Sequence, residues 1–514
     1  MKEQRLARSV AINLVSRFSL GIFGFLQIIL IAKAFGVSAS TDAFLIASWI
    51  IFIFWSIGDT VLTYSLVPHL INTFVNSGLD GAKKASDGIF FWFCIMLAVF
   101  TLSVYLGSEY IIYLLAPGFS ENAHVLTAEL LRWLTPAIFL GGLSAFFSSL
   151  LFTVKRFTVP AIAALFPDFG AIGFLLFGAD QWGIKAVVFG LLIGFVFQVI
   201  ALFFALFSAG LLPRFRRSRF DEFKGALRLI GPRLGSVGVN RAIIGVDRFF
   251  ASQLGAGSVS ALTYSYRLTQ MPVLMAIEAL GKTIMPGLAK DAAQGRTDKL
   301  RKFIPTALGY ILFGLAPMVL ILIYYDEQII RLLYERGSFT PEDTVVAARV
   351  LVWYAVAIVF ASVSMLLSGI FFATGDTLTP FKISCVSLFL NAAMDYILMR
   401  FFGITGIAMA TVCVAVVSMC LLYYNLDKKV GGIEISHAMG SFFKIAAATV
   451  VMGVTIWAMT TVSARLDFGM QKIMEMAVLS FMSWVAFLVV CRFLKLEEYL
   501  TVAGALGRKL GWQK

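Results

Sequence analysis

The chain has 514 residues, of which 60% are hydrophobic and 14% charged, and its mean hydropathy is +0.89. So little polar surface excludes a soluble globule. The formal net charge of +13 reads as membrane topology and attraction to anionic headgroups, and not as nucleic-acid binding.

A membrane-crossing helix takes about 20 mostly apolar residues. Fourteen such runs are predicted, centred near residues 22, 54, 102, 138, 169, 196, 240, 273, 318, 357, 391, 415, 450 and 482. The first follows basic residues but precedes no small-residue cleavage site, so it is expected to stay as a helix and not to leave as a signal peptide. Lys and Arg concentrate in alternate loops, above all in PRFRRSRFDEFK and AKDAAQGRTDKLRKF. That bias places these loops and both termini in the cytosol.

The runs repeat. LLAPGFSENAHVLTAELLRWLTPAIF at 114–139 has a counterpart in LLYERGSFTPEDTVVAARVLVWYAVAIVF at 332–360. The pairs Phe119/Phe339, Trp133/Trp353, Pro160/Pro380 and Gly183/Gly403 share an offset of 220. The expected fold is an all-α polytopic membrane protein of about 14 transmembrane helices, with two parallel six-helix lobes and two C-terminal helices. The division is 1–212 for the first lobe, 213–233 for a basic cytosolic linker, 234–430 for the second lobe and 431–514 for the last two helices and tail. Transporters duplicated this way carry substrate between the lobes.

Charge inside a bilayer costs roughly 2.5 to 3.5 kcal/mol on insertion scales, so each intramembrane charge is a functional candidate. In chain order these are Arg17, Asp59, Asp168, Arg241, Asp247, Arg248, Arg267, Glu278, Lys282 and Asp395. Glu278 and Lys282 form an i,i+4 pair near a helix end. Asp168 follows Pro167, where it can bond amides freed by a kink. Arg267 lies in TYSYRLTQMP among Tyr264, Tyr266, Thr269 and Gln270. Such polarity suits a water-filled cavity, where a guanidinium grips two phosphate oxygens, or else a buried salt bridge. In SLFLNAAMDYILM, Asn391 and Asp395 share one helix face. They suit a Na⁺ site, a proton site or an interhelical hydrogen bond.

The five cysteines (Cys94, Cys385, Cys413, Cys420, Cys491) lack paired spacing and imply neither a disulfide framework nor a zinc site. There is no HExxH, Walker A or GxSxG motif, and no loop long enough to be a catalytic domain, so no enzyme is expected.

GVSASTDAFLIA, VPHL, LLAPGF, DRFFASQLGAGSVSALTYSYRL, IMPGLAK and GIFFATGDTLTP together resemble the MurJ/MviN family of the multidrug/oligosaccharidyl-lipid/polysaccharide exporter superfamily. The resemblance spans the chain. It implies a multi-pass protein of the bacterial plasma membrane, a monomer, that moves undecaprenyl-diphosphate-linked peptidoglycan precursor from the inner to the outer leaflet by alternating access. It also implies a sodium coupling ion held by Asp247, Asn391, Asp395, Ile407 and Thr411, and no other cofactor. Arg17, Asp42 and Arg267 stand at or near the family's substrate-cavity positions. Two cavity arginines of the family are missing: one position is Gln27 here, and the other falls within 51–58, which has no basic residue. Those losses leave room for another polyprenyl-linked glycan as substrate, or for lipid II held differently; the superfamily also includes cation-coupled drug exporters, a further alternative.

Overall fold

The computed structural model describes residues 2–62, 67–215, 238–270, 297–433, 435–466 and 472–509, and no strand occurs among them. The chain opens with α1 (Lys2–Phe35), α2 (Ala39–Val61) and α3 (Val67–Leu106), which breaks at Gly78. It continues through α4 (Ser108–Leu115), α5 (Glu121–Leu134), α6 (Pro136–Thr153), α7 (Thr158–Ala163), α8 (Phe166–Trp182) and α9 (Lys185–Ser208). Two helical stretches follow, α10 over 238–252 and α11 over 258–270. Then come α12 (Thr297–Tyr324), α13 (Asp326–Tyr334), α14 (Pro341–Ala373), α15 (Leu378–Phe402) and α16 (Ile404–Val430). The chain closes with α17 (Ile435–Leu466), α18 (Lys472–Phe493) and α19 (Glu497–Lys509).

Twelve segments of the described chain are long and apolar enough to cross a membrane. The runs expected near 240 and 273 are described only in part, over α10 and α11; residues 216–237 and 271–296 lie outside the described residues. Polarity is inverted relative to a soluble helix. On α15, Phe389 and Phe401 are each 76% exposed, whereas Asn391 and Asp395 are buried, the pattern of a helix with hydrocarbon outside it.

The 220-residue repeat is written into the helix breaks. Helix α8 ends at Gly183 (φ 55°, ψ −142°) and α15 ends at Gly403 (φ 58°, ψ −136°), the same sharp turn into the next helix. Left-handed residues also recur in the turns after α6 and α14, as Lys155 (φ 60°) and Gly375 (φ 79°). Those turns close identically: Arg156 N–H donates to the Leu151 carbonyl and Asp376 N–H to the Phe371 carbonyl, both at 2.9 Å. Ser120 caps α5 by accepting from Ala123 N–H, and Thr340 accepts from Asp343 N–H before α14. The second of the two turns carries charge of its own. Burial pushes the Asp376 carboxyl up, but Thr379 and the Lys429 ammonium at 3.0 Å bring it below the usual carboxylate range.

By packing, the chain forms two compact units, Met1–Tyr264 with Tyr334–Asp343 and Ser265–Leu333 with Thr344–Lys514. In the first, α8 and α9 touch backbone to backbone. A Cβ on Gly170 would stand 2.1 Å from the Gly190 carbonyl oxygen, and one on Gly194 would stand 2.3 Å from that of Phe166. Small residues admit such contact where no hydrophobic drive exists between helices. In the second unit, α15 packs on α16, and α17 and α18 pack on α12, which carries Pro305 and Pro317 inside its length.

Candidate functional site

Asp42 lies in the first turn of α2 and is fully buried. Its Oδ2 accepts from Gly257 N–H and its Oδ1 from Ser260 N–H, each at 2.7 Å. One carboxylate therefore caps the start of α11 while sitting at the start of α2, and both helix N-termini favour negative charge there. With both oxygens turned to backbone amides, Asp42 shapes the site and has no free face for a headgroup in this arrangement. The resemblance had placed it among substrate residues.

Around Asp42 the first unit is tightly tied. Thr41 Oγ1 and Tyr264 Oη both donate to the Gly36 carbonyl at 3.1 Å. Ser338 N–H reaches the Lys33 carbonyl at 2.9 Å, and Ser338 Oγ reaches that of Ala34 at 3.0 Å. Gly36 (φ 60°) has no room for a Cβ, which would stand 2.2 Å from the Ser338 carbonyl oxygen. The Tyr264 ring packs against Tyr334 and Phe339. Tyr264 and Thr269 contributed to the polarity around Arg267 that suggested a water-filled cavity, but both are buried. Their hydroxyls are used internally, that of Thr269 on the Tyr266 carbonyl at 2.8 Å.

Arg267 keeps its standing as a candidate. It is half-buried on α11 and makes no hydrogen bond or ion pair with a described residue. Its helix is held against α14 by Ser265 Oγ on the Ala347 carbonyl at 2.7 Å and by an edge contact of Tyr266 with Tyr354. Contact with α14 therefore positions the helix that carries the guanidinium, and no described residue neutralises it.

Asn391 and Asp395 are buried on α15, and the facing α16 brings a buried Ile407 and a half-buried Thr411, whose hydroxyl donates to the Ile407 carbonyl at 3.2 Å. This is a donor set of hard oxygens, of the kind that suits Na⁺. The first half shows what the same positions hold without such a set: Ala171, Leu175, Val187 and Leu191, all buried. Asp247, half-buried on α10, belongs to the first packing unit. No group of three His, Cys, Asp or Glu suited to a metal occurs among the described residues.

The remaining candidates divide. Asp168 sits in the first turn of α8, where the helix dipole favours it. Arg248 donates to the Leu45 carbonyl at 2.6 Å. Gln27 is 8% exposed and faces the packed interior. The side chains of Arg17 and Asp59, and all of Glu278 and Lys282, lie outside the described residues. The second unit also carries a largely apolar groove of about 450 Å³, lined among others by Leu312, Ala316, Leu320, Ile445 and Gly453, which suits hydrocarbon.

A family model described as "Lipid II flippase MurJ" matches residues 31–476. A probable lipid II flippase MurJ of Buchnera aphidicola subsp. Baizongia pistaciae is 27% identical over 452 residues, covering 86% of this chain and 87% of that protein. The lipid II flippase MurJ of Burkholderia cenocepacia is 26% identical over 461 residues, covering 87% and 89%. Among solved structures, a lipid II flippase MurJ in an inward closed conformation superposes with a TM-score of 0.78 at 23% identity, covering 94% of this chain and 98% of that one. An inward-facing multidrug resistance MATE family transporter superposes at 0.68 with 15% identity, covering 81% and 98%. These two structural likenesses establish a shared fold.

Proposed function

The chain belongs to the lipid II flippase MurJ family, and from that premise we propose that it moves lipid II, the polyprenyl-diphosphate-linked precursor of peptidoglycan, from the inner to the outer leaflet of the bacterial plasma membrane. It is a multi-pass transporter and not an enzyme. The observation that carries this reading is a family match running through nearly all of both sequence repeats. A precursor with a diphosphate and a long isoprenoid needs a cation fork and an apolar surface. Arg267, held by α14 but not neutralised, supplies the first. The apolar groove against α12 and α17 suits the second.

The working arrangement is alternating access between the repeat lobes, 1–212 and 234–430, joined by the 213–233 linker, in a monomer with both termini cytosolic. Arg267 takes the diphosphate, Arg17 is a second substrate candidate on the resemblance alone, and Asp42 holds the start of α11. Na⁺ binds at Asn391, Asp395, Ile407 and Thr411, and Asp247 is a further candidate ligand on the resemblance alone. The replacement of four of these positions by buried apolar residues in the first half supports an ion site confined to one repeat.

Expression in a strain depleted of its own lipid II flippase is expected to restore growth. Arg267→Ala is expected to abolish rescue at normal protein level, and Arg267→Lys to impair it because an ammonium lacks the bidentate fork. Failure of the wild type at normal level would favour another lipid-linked oligosaccharide as substrate, and full rescue by Arg267→Ala would leave that arginine a structural role.

Orientation is tested separately. In a background with its native cysteines replaced, a cysteine at exposed Glu342 is expected to react with an impermeant maleimide from outside, and one at exposed Lys155 is expected to be spared. The reverse pattern would overturn the assignment of both termini to the cytosol.

A further inference from the structure

Helices α2 and α10 run side by side within the first packing unit. The Arg248 guanidinium, bonded to the Leu45 carbonyl, also lies over the Trp49 ring, 5.5 Å from its centroid. One turn earlier on α10, Gly245 meets the same indole so closely that a Cβ would stand 2.3 Å from Cη2. Residues 45 and 49 of α2 thus face 248 and 245 of α10, and the pair is antiparallel. Continuing both rows by a turn sets Arg241 level with about residue 52 or 53 of α2. At that level both helices carry exposed side chains: Phe52 is 39% exposed and Arg241 is exposed. Beyond Trp49 the pair therefore presents an aromatic ring on α2 and a guanidinium on α10.

That level lies about 20 Å along α2 from its first residue, inside the membrane-crossing stretch Ala39–Ser56. A cation at such a depth is costly unless it meets water or an anion. Arg241 forms no ion pair or hydrogen bond with a described residue, and residues 43–58 of α2 contain neither Lys nor Arg. We propose that Arg241 binds the diphosphate of the lipid-linked substrate beside α2, where Phe52 meets the first isoprene units. The fork geometry of a guanidinium fits two phosphate oxygens, and an exposed cation level with an exposed aromatic ring joins an anion site to an apolar surface, which is the chemistry of the diphosphate–isoprenoid junction. This role rests on the flippase reading above and adds a residue to it.

The test uses the purified full-length chain and two ligands in separate titrations, undecaprenyl diphosphate and phosphatidylglycerol. Arg241→Gln is expected to weaken undecaprenyl diphosphate binding by about tenfold or more, the weight of a lost charge-assisted hydrogen bond, and to leave phosphatidylglycerol binding unchanged. Adding Phe52→Arg to Arg241→Gln is expected to recover most of the loss, because α2 then supplies the cation. Melting temperatures of all variants check folding, and Arg241→Lys, which keeps the charge without the fork, is expected to fall between wild type and Arg241→Gln. Unaltered diphosphate binding by Arg241→Gln would overturn the proposal. Equal weakening for both lipids would also overturn it, since Arg241 would then be a side chain reaching to phospholipid headgroups. Absence of undecaprenyl diphosphate binding by the wild type is a different failure and would overturn the flippase reading itself.

Discussion

Asp42→Ala is expected to destabilise the protein by about 2–6 kcal/mol, because it strips two buried backbone amides of their acceptor at once and each such orphan costs about 1–3 kcal/mol. The amides are those of Gly257 and Ser260, both at 2.7 Å from the carboxylate. Asp42→Asn keeps one acceptor and turns an NH₂ toward the other amide, so it is expected to cost about half as much. A carboxylate is tolerated here without a cation because two helix N-termini converge on it. Thermal unfolding of the purified variants measures the size of the effect, and hydrogen exchange at the two amides reads its place. An alanine variant that melts with the wild type and keeps both amides protected would show that the carboxylate does not hold the start of α11.

Wild-type protein is expected to melt higher in NaCl than in KCl at constant ionic strength, and Asp395→Asn to lose that difference. The effect is large at saturation: a ligand at about 100 times its Kd adds about 2.7 kcal/mol. Asp395 is fully buried within a membrane-crossing helix, where a carboxylate requires compensation. Leu175 occupies the matching position of the other repeat, so Asp395→Leu supplies a packing-compatible control. It is expected to match or exceed wild type in KCl and to show no preference for sodium. Equal stabilisation by both salts in wild type and variant would remove sodium from Asp395 and leave a proton or hydrogen-bonding role.

Much of the fold was legible because a bilayer imposes a simple grammar. Apolar runs of span length marked twelve segments that the structure shows as helical and long enough to cross a membrane, and Phe119/Phe339 and Gly183/Gly403 disclosed the repeat from sequence alone. The site was harder to read, for a physical reason. Asp42 and its two amide donors lie more than 200 positions apart in sequence, and no local pattern announces a cap supplied from another helix. Tyr264 and Thr269 sat beside Arg267 in an apparently polar stretch, yet helical rotation turned them inward and hydrogen bonds consumed their hydroxyls. Arg241 was visible as an intramembrane charge, but its relation to Phe52 depended on the register that Trp49, Gly245 and Arg248 set between two helices. Lys155 adopts a left-handed conformation where the other repeat has Gly375, so residue type alone would have missed that turn.

The contrast between the two helical hairpins bears on how the chain enters its membrane. Helices α8 and α9 are separated by Gly183 and Ile184, α15 and α16 by Gly403 alone. The first hairpin buries small and apolar groups at its seam, and Asp168 on its first arm sits in the first turn of α8, where the helix dipole favours it. The second carries Asn391 and Asp395 on the arm made first, and an aspartate near the middle of a lone helix opposes insertion by about 3 kcal/mol. Its favourable exit is as a closed pair, with α16 already shielding the polar stripe. Synthesis order then matters, because the residues of α16 that cover Asn391 and Asp395 are made after them.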